Sequence, residues 1–68
     1  MKLEEIIKVL ESNNKRFIDC EYTNDKGMYL YLGIDKSYLS VKVDSFNIIL
    51  RDDTMLIIPF DKIISLKY

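Results

Sequence analysis

Met28-Tyr-Leu-Tyr-Leu-Gly-Ile34 and Thr54-Met-Leu-Ile-Ile-Pro-Phe60 are apolar at almost every position. Both read as β-strands with two apolar faces. A strand on the outside of a small sheet alternates apolar and polar residues, because successive side chains point to opposite faces. A chain of 68 residues has little interior in which to hide two-faced strands. The surplus apolar surface is therefore expected to meet another subunit or a ligand.

The segments around these two strands give the rest of the fold. Residues 2 to 12 form a helix, with Leu3, Ile6, Ile7 and Leu10 at i, i+3, i+4 and i+7 on one stripe. All four are expected to pack on the sheet, and Val9 widens the stripe. Arg16 to Tyr22 alternates, with Ile18, Cys20 and Tyr22 on one face and Phe17, Asp19 and Glu21 on the other. Thr23 to Gly27 is a turn, and Asp35-Lys-Ser37 is a tight connection. Tyr38 to Asp44 reads as a strand with Leu39, Val41 and Val43 inward. Phe46 to Arg51 continues after Ser45, Asp52-Asp53 turns, Met55 to Ile58 is a strand, and Pro59 stands at its end or on an edge because it lacks a donor. Asp61-Lys62 turns the chain into Ile63 to Tyr68. The fold class is α+β: an N-terminal helix followed by five or six short antiparallel strands, forming a highly bent sheet or small barrel. Residues 1–68 make one domain, with the β-region over residues 16–68.

Size makes such a domain marginal, since a monomer this small buries only about 60% of the surface its unfolded chain exposes. The chain has one cysteine and no histidine, which excludes an intrachain disulfide and a structural zinc site. Oligomerisation is the remaining remedy, most simply two-fold or dihedral. Ten basic and eleven acidic residues are mixed along the chain, and the pI is near 5.2. This lacks the basic footprint of a general nucleic-acid binder. No stretch approaches the ~20 apolar residues of a membrane span. Acids stand where a signal peptide has its apolar core, so the expected location is cytoplasmic.

Few residues invite chemistry. Cys20 lacks a histidine partner and reads as a small core residue. Asp52 and Asp53 read as a turn, and with Asp61 they lack any known metal-ligand spacing. No cofactor and no enzymatic activity are expected. The tyrosines are more suggestive. Tyr29 and Tyr31 share one face of a strand, and a tyrosine ring suits interfaces and the stacking of nucleotide bases. Lys26 and Arg51 are candidates to hold a phosphate, with Arg16 and Lys62 as further cations.

Two resemblances bear on these candidates. Met-Lys-Leu-Glu-Glu-Ile-Ile-Lys-Val-Leu-Glu, followed by Asn24-Asp-Lys-Gly-Met-Tyr-Leu-Tyr-Leu32, resembles the start of the Thoeris anti-defence 2 family over residues 1 to 34. That family has an Arg and a Trp just before the second segment, whereas this chain has no Trp. The resemblance implies a small phage protein that oligomerises and sequesters a cyclic-nucleotide-type immune signal. Val43-Asp-Ser-Phe-Asn47 with Ile48-Ile-Leu-Arg-Asp52, and Ile57-Ile-Pro-Phe-Asp-Lys-Ile-Ile-Ser-Leu66, are similar to the central strands and closing hairpin of the Sm-like fold. That resemblance implies a ring-forming RNA-binding module. The expected function is a small, non-enzymatic, homo-oligomeric binding protein. It would capture a nucleotide-type signal or block a host protein, with Tyr29, Tyr31, Lys26 and Arg51 as its contact residues. The Sm-like module is the alternative.

Overall fold

The computed structural model describes residues 1–68. Helix α1 spans Leu3–Glu11. Glu4 and Glu5 stand in its first turn and Lys8 in its last, each complementing the helix dipole. The strands are β1 (Phe17–Thr23), β2 (Tyr29–Asp35), β3 (Leu39–Val41), β4 (Ser45–Ile49), β5 (Met55–Pro59) and β6 (Ile63–Lys67). The α+β reading holds. A single bent sheet or closed barrel does not: the strands form two three-stranded antiparallel sheets, ordered β2-β1-β6 and β3-β4-β5. No helix is long and apolar enough to cross a membrane.

The sheets separate because the chain changes direction at two 3-10 turns. Lys36–Tyr38 carries it from β2 to β3, and Phe60–Lys62 carries it from β5 to β6. At the first corner the Asp35 carboxylate accepts from the Ser37 backbone N–H at 2.9 Å. Arg16 holds the same carboxylate from the side, with Nε 3.0 Å from both oxygens. At the second corner Pro59 ends β5, an edge strand, with φ −62°, where its missing N–H costs nothing. The Phe60 N–H then donates to the Asp44 carbonyl at 2.9 Å.

The interior is small. Ile6, Ile18, Cys20, Ile34, Phe46, Ile48, Ile58, Phe60 and Ile63 are buried. Phe46 on β4 meets Phe60 of the second corner edge to face, with ring centroids 5.5 Å apart. Such a pair is worth about 0.5–1.5 kcal/mol beyond its buried area. Leu30, Leu32 and Ile34 alternate inward along β2, as Leu56 and Ile58 do along β5.

Two further expectations are corrected. The strand read over Tyr38 to Asp44 stops at Val41, because the Lys42 N–H turns back to the Ser45 carbonyl at 2.9 Å. Val43, expected inside, is 82% exposed on that turn, and Val41, also expected inside, is exposed at the end of the strand. On the helix, Ile6 is fully buried, whereas Ile7 is 39% exposed. The stripe therefore centres on Ile6, with Leu3 and Leu10 packed beside it.

The helix is tied at both ends to the two corners. The Met1 ammonium donates to the Phe60 carbonyl at 2.7 Å. At the other end Lys36 Nζ donates to the Leu10 and Asn13 carbonyls at 3.3 and 3.0 Å, placing a cation on the negative end of the helix dipole. The same ammonium lies 5.2 Å from the Tyr68 ring centroid. Ile6→Ala should cost about 2–5 kcal/mol, because it opens a cavity at a fully enclosed site. Ile7→Asp should cost the fold clearly less than Ile6→Ala, because Ile7 is partly open to solvent. Denaturant unfolding of both variants checks this, and a larger loss at Ile7 than at Ile6 would reverse the assignment of the helix face.

Candidate functional site

The outer face of the β2-β1-β6 sheet gathers two of the residues singled out in the sequence. Cross-strand register sets Tyr29 opposite Thr23 and Tyr31 opposite Glu21. Alternation turns all four side chains outward. The Tyr31 hydroxyl donates to the Glu21 carboxylate at 2.8 Å, and the Tyr29 hydroxyl donates to its other oxygen. The rings remain 59% and 62% exposed, while the Glu21 side chain between them is only 12% exposed. Lys67 on β6 brings its ammonium to 3.9 Å from the same carboxylate. The hydrogen bond to Glu21 raises the Tyr31 hydroxyl pKa above its ordinary value, with partial burial and the charges of Glu21 and Asp19 adding to the rise. Two exposed rings are thus latched onto one covered carboxylate.

A second feature lies at the first corner. A groove of about 380 Å³ runs between β1, β2 and the β4–β5 turn, with Phe17, Gly33, Tyr38, Leu50 and Arg51 in its walls. Phe17 and Tyr38 leave 59% and 53% of their surface open. Arg16 sits beside this groove, its guanidinium 5.5 Å from the Phe17 ring centroid and paired to Asp35 at 2.8 Å. That pairing, chiefly its hydrogen bond, holds the Asp35 carboxyl below its usual pKa. Arg51 has no ion pair and is placed by the turn that follows it. The Leu50 N–H donates to the Thr54 carbonyl, and Asp53 takes a left-handed φ of 65°. Asp52 accepts from the Thr54 N–H and hydroxyl at 3.1 and 2.5 Å, which lowers its pKa. Asp52-Asp53 is therefore a turn. Asp61 stands at the other end of β5, ~16 Å away along five residues of strand.

The four nominated residues do not converge. Tyr29 and Tyr31 meet on Glu21. Lys26 lies at the tip of the β1–β2 turn, where Asn24 Oδ1 accepts from the Lys26 and Met28 N–H groups, each at 2.9 Å, and Gly27 takes φ 77°. Arg51 belongs to the corner groove. Neither cation shares a hydrogen bond or a groove with the tyrosines. Glu21 and Phe17 are not among the residues the sequence singles out, whereas Tyr38 belongs to its set of tyrosines. The alternation of β1 already turned Glu21 outward, but its pairing with β2 could not be read from one strand.

Cys20 is fully buried, and its thiol pKa is pushed up to about 11, first by burial and then by the charge of Glu21. It should resist alkylation at neutral pH and react once the chain is unfolded, since only an accessible thiolate is nucleophilic. Mass spectrometry of iodoacetamide-treated protein with and without denaturant checks this, and rapid native labelling would contradict the core placement. For Asp35 the folded pKa is depressed, so its contribution to stability is present above the ordinary carboxylate range and is lost as pH falls through the folded value. The stability gap between the native chain and Arg16→Leu should therefore close in acid, as read by urea unfolding across pH. Comparison with protein-family models, with curated proteins and with solved structures gives no match.

Proposed function

We propose that this chain is a small, non-enzymatic binding protein that works as a homo-oligomer and captures its target stoichiometrically. The observation that carries this reading is apolar surface left without a partner. Thirteen large hydrophobic side chains are exposed around a core of nine buried residues. Ile49, Met55 and Ile57 form a continuous patch on the outer face of the second sheet, with Ile49 directly opposite Met55. They lie beside the open edge of β5, whose unpaired backbone groups invite strand addition. A second apolar area, with Ile7, Val41 and Val43, lies beside the helix. Two separate patches suit contacts that repeat from copy to copy.

The target we favour is a nucleotide-type signal held in the corner groove. Phe17 and Tyr38 supply rings on which a base stacks, and the unpaired Arg51 supplies a donor for its phosphate. The groove volume lies within the range of small-molecule sites. The anti-defence role rests on the resemblance of residues 1 to 34 to the Thoeris anti-defence 2 family. An Sm-like RNA-binding ring is the second reading, favoured by the return of β6 to pair with β1 behind a leading helix.

Native mass spectrometry of the protein from cells tests both parts, because it reports the oligomer and any ligand that co-purifies. Ile57→Lys should dissociate the oligomer while leaving the fold intact, because Ile57 is 58% exposed. Tyr38→Ala should weaken capture roughly ten- to a hundredfold, the worth of one stacked base. A stable monomer at micromolar concentration would overturn the assembly. Co-purification of a host protein with no small ligand would replace the signal with a protein target.

A further inference from the structure

We propose that the Tyr29–Glu21–Tyr31 latch is a cation site that receives an arginine side chain from a partner protein. The proposal stands apart from the corner groove and from the oligomer. Both phenols donate to Glu21, one to each carboxylate oxygen. The two hydroxyls are consumed by these bonds and have no proton left for a phosphate or carboxylate. What the rings still offer is their faces, and an aromatic face carries negative charge. Asp19, on the same face of β1, has no ion pair and adds a further negative charge. Lys67, directly across from Asp19 in the strand register and 3.9 Å from Glu21, opposes them from the β6 side. Asp19, Glu21 and Lys67 sum to −1, so the surface repels anions and attracts cations.

The geometry favours a guanidinium. A planar cation within about 6 Å of a ring centroid gains the electrostatic attraction of the ring, and arginine stacks flat where lysine presents a compact, strongly hydrated charge. The hydroxyl bonds to Glu21 fix both rings before any ligand arrives, which removes part of the entropy cost of binding. The tyrosines line none of the cavities of the molecule. They form an open platform, whereas a free small molecule is normally engulfed. An open platform suits a side chain that is carried in on another protein's surface.

The test is an NMR titration that follows the Tyr29 and Tyr31 ring protons with capped Gly-Arg-Gly, and with the same peptide carrying citrulline, which keeps the shape and loses the charge. The arginine peptide should move both rings at millimolar concentration, as weak exposed cation–aromatic contacts do, and the citrulline peptide should not. Glu21→Gln should weaken the arginine peptide about five- to tenfold. Lys67→Met should strengthen it about two- to fivefold, because the competing ammonium is gone. That gain cannot arise from a damaged fold, so it guards against a misfolded Glu21 variant. Equal shifts with both peptides, absence of any shift in the folded native chain, or no gain on Lys67→Met would overturn the proposal. Dissociation of the oligomer on Glu21→Gln would assign the arginine to a second copy of this chain and overturn the choice of a separate partner.

Discussion

The small core shared by the two sheets, capped by a helix tied to both corners, is the constraint on which the remaining structure depends. The two three-stranded sheets share one buried core, in which Ile18, Cys20 and Ile34 of the first meet Phe46, Ile48 and Ile58 of the second. α1 caps it. Its start is tied to the second corner through Met1 and the Phe60 carbonyl, and its end to the first corner through Lys36. Ile6 fills the space between these ties. One buried isoleucine and two polar clamps thus seat the helix on that core.

The corners also explain where the open surfaces lie. Each 3-10 turn moves the chain from one sheet to the other, so each sheet keeps one outer face uncovered by its own chain. The first sheet dresses its face with polar chemistry: the tyrosines bond Glu21, and Lys67 approaches the same carboxylate. The second sheet leaves Ile49, Met55 and Ile57 with no polar tip to satisfy. The two apolar strands that look alike in sequence therefore end in different chemical settings. On β2 the outward residues are amphipathic rings. On β5 they are purely aliphatic and thioether side chains.

Charge is distributed with equal selectivity. Arg16 is consumed by Asp35 and by the Phe17 ring, and Lys36 is consumed by the end of the helix. Arg51 stays free at the rim of a groove because the turn after it satisfies itself through Asp52 and Thr54. A nearly neutral chain thereby keeps one unpaired guanidinium beside two rings and one excess negative charge beside two others.

Local pattern in the sequence determined the elements. Alternation over β1 and β4, the apolar stripe of α1, the Asp52-Asp53 turn and the core place of Cys20 all follow from period and residue type, because each depends on near neighbours in the chain. Tertiary structure alone decided the rest. Ile6 and Ile7 are equal members of the stripe by spacing, and only the position of the sheets makes one buried and the other exposed. Val43 continues the alternation of its strand, and only the backbone bond from Lys42 to Ser45 turns it out. Tyr29 and Tyr31 were legible as a pair on one face, but their partner was not. Glu21 reaches them through a strand register, and a register joins residues whose separation in sequence carries no signal.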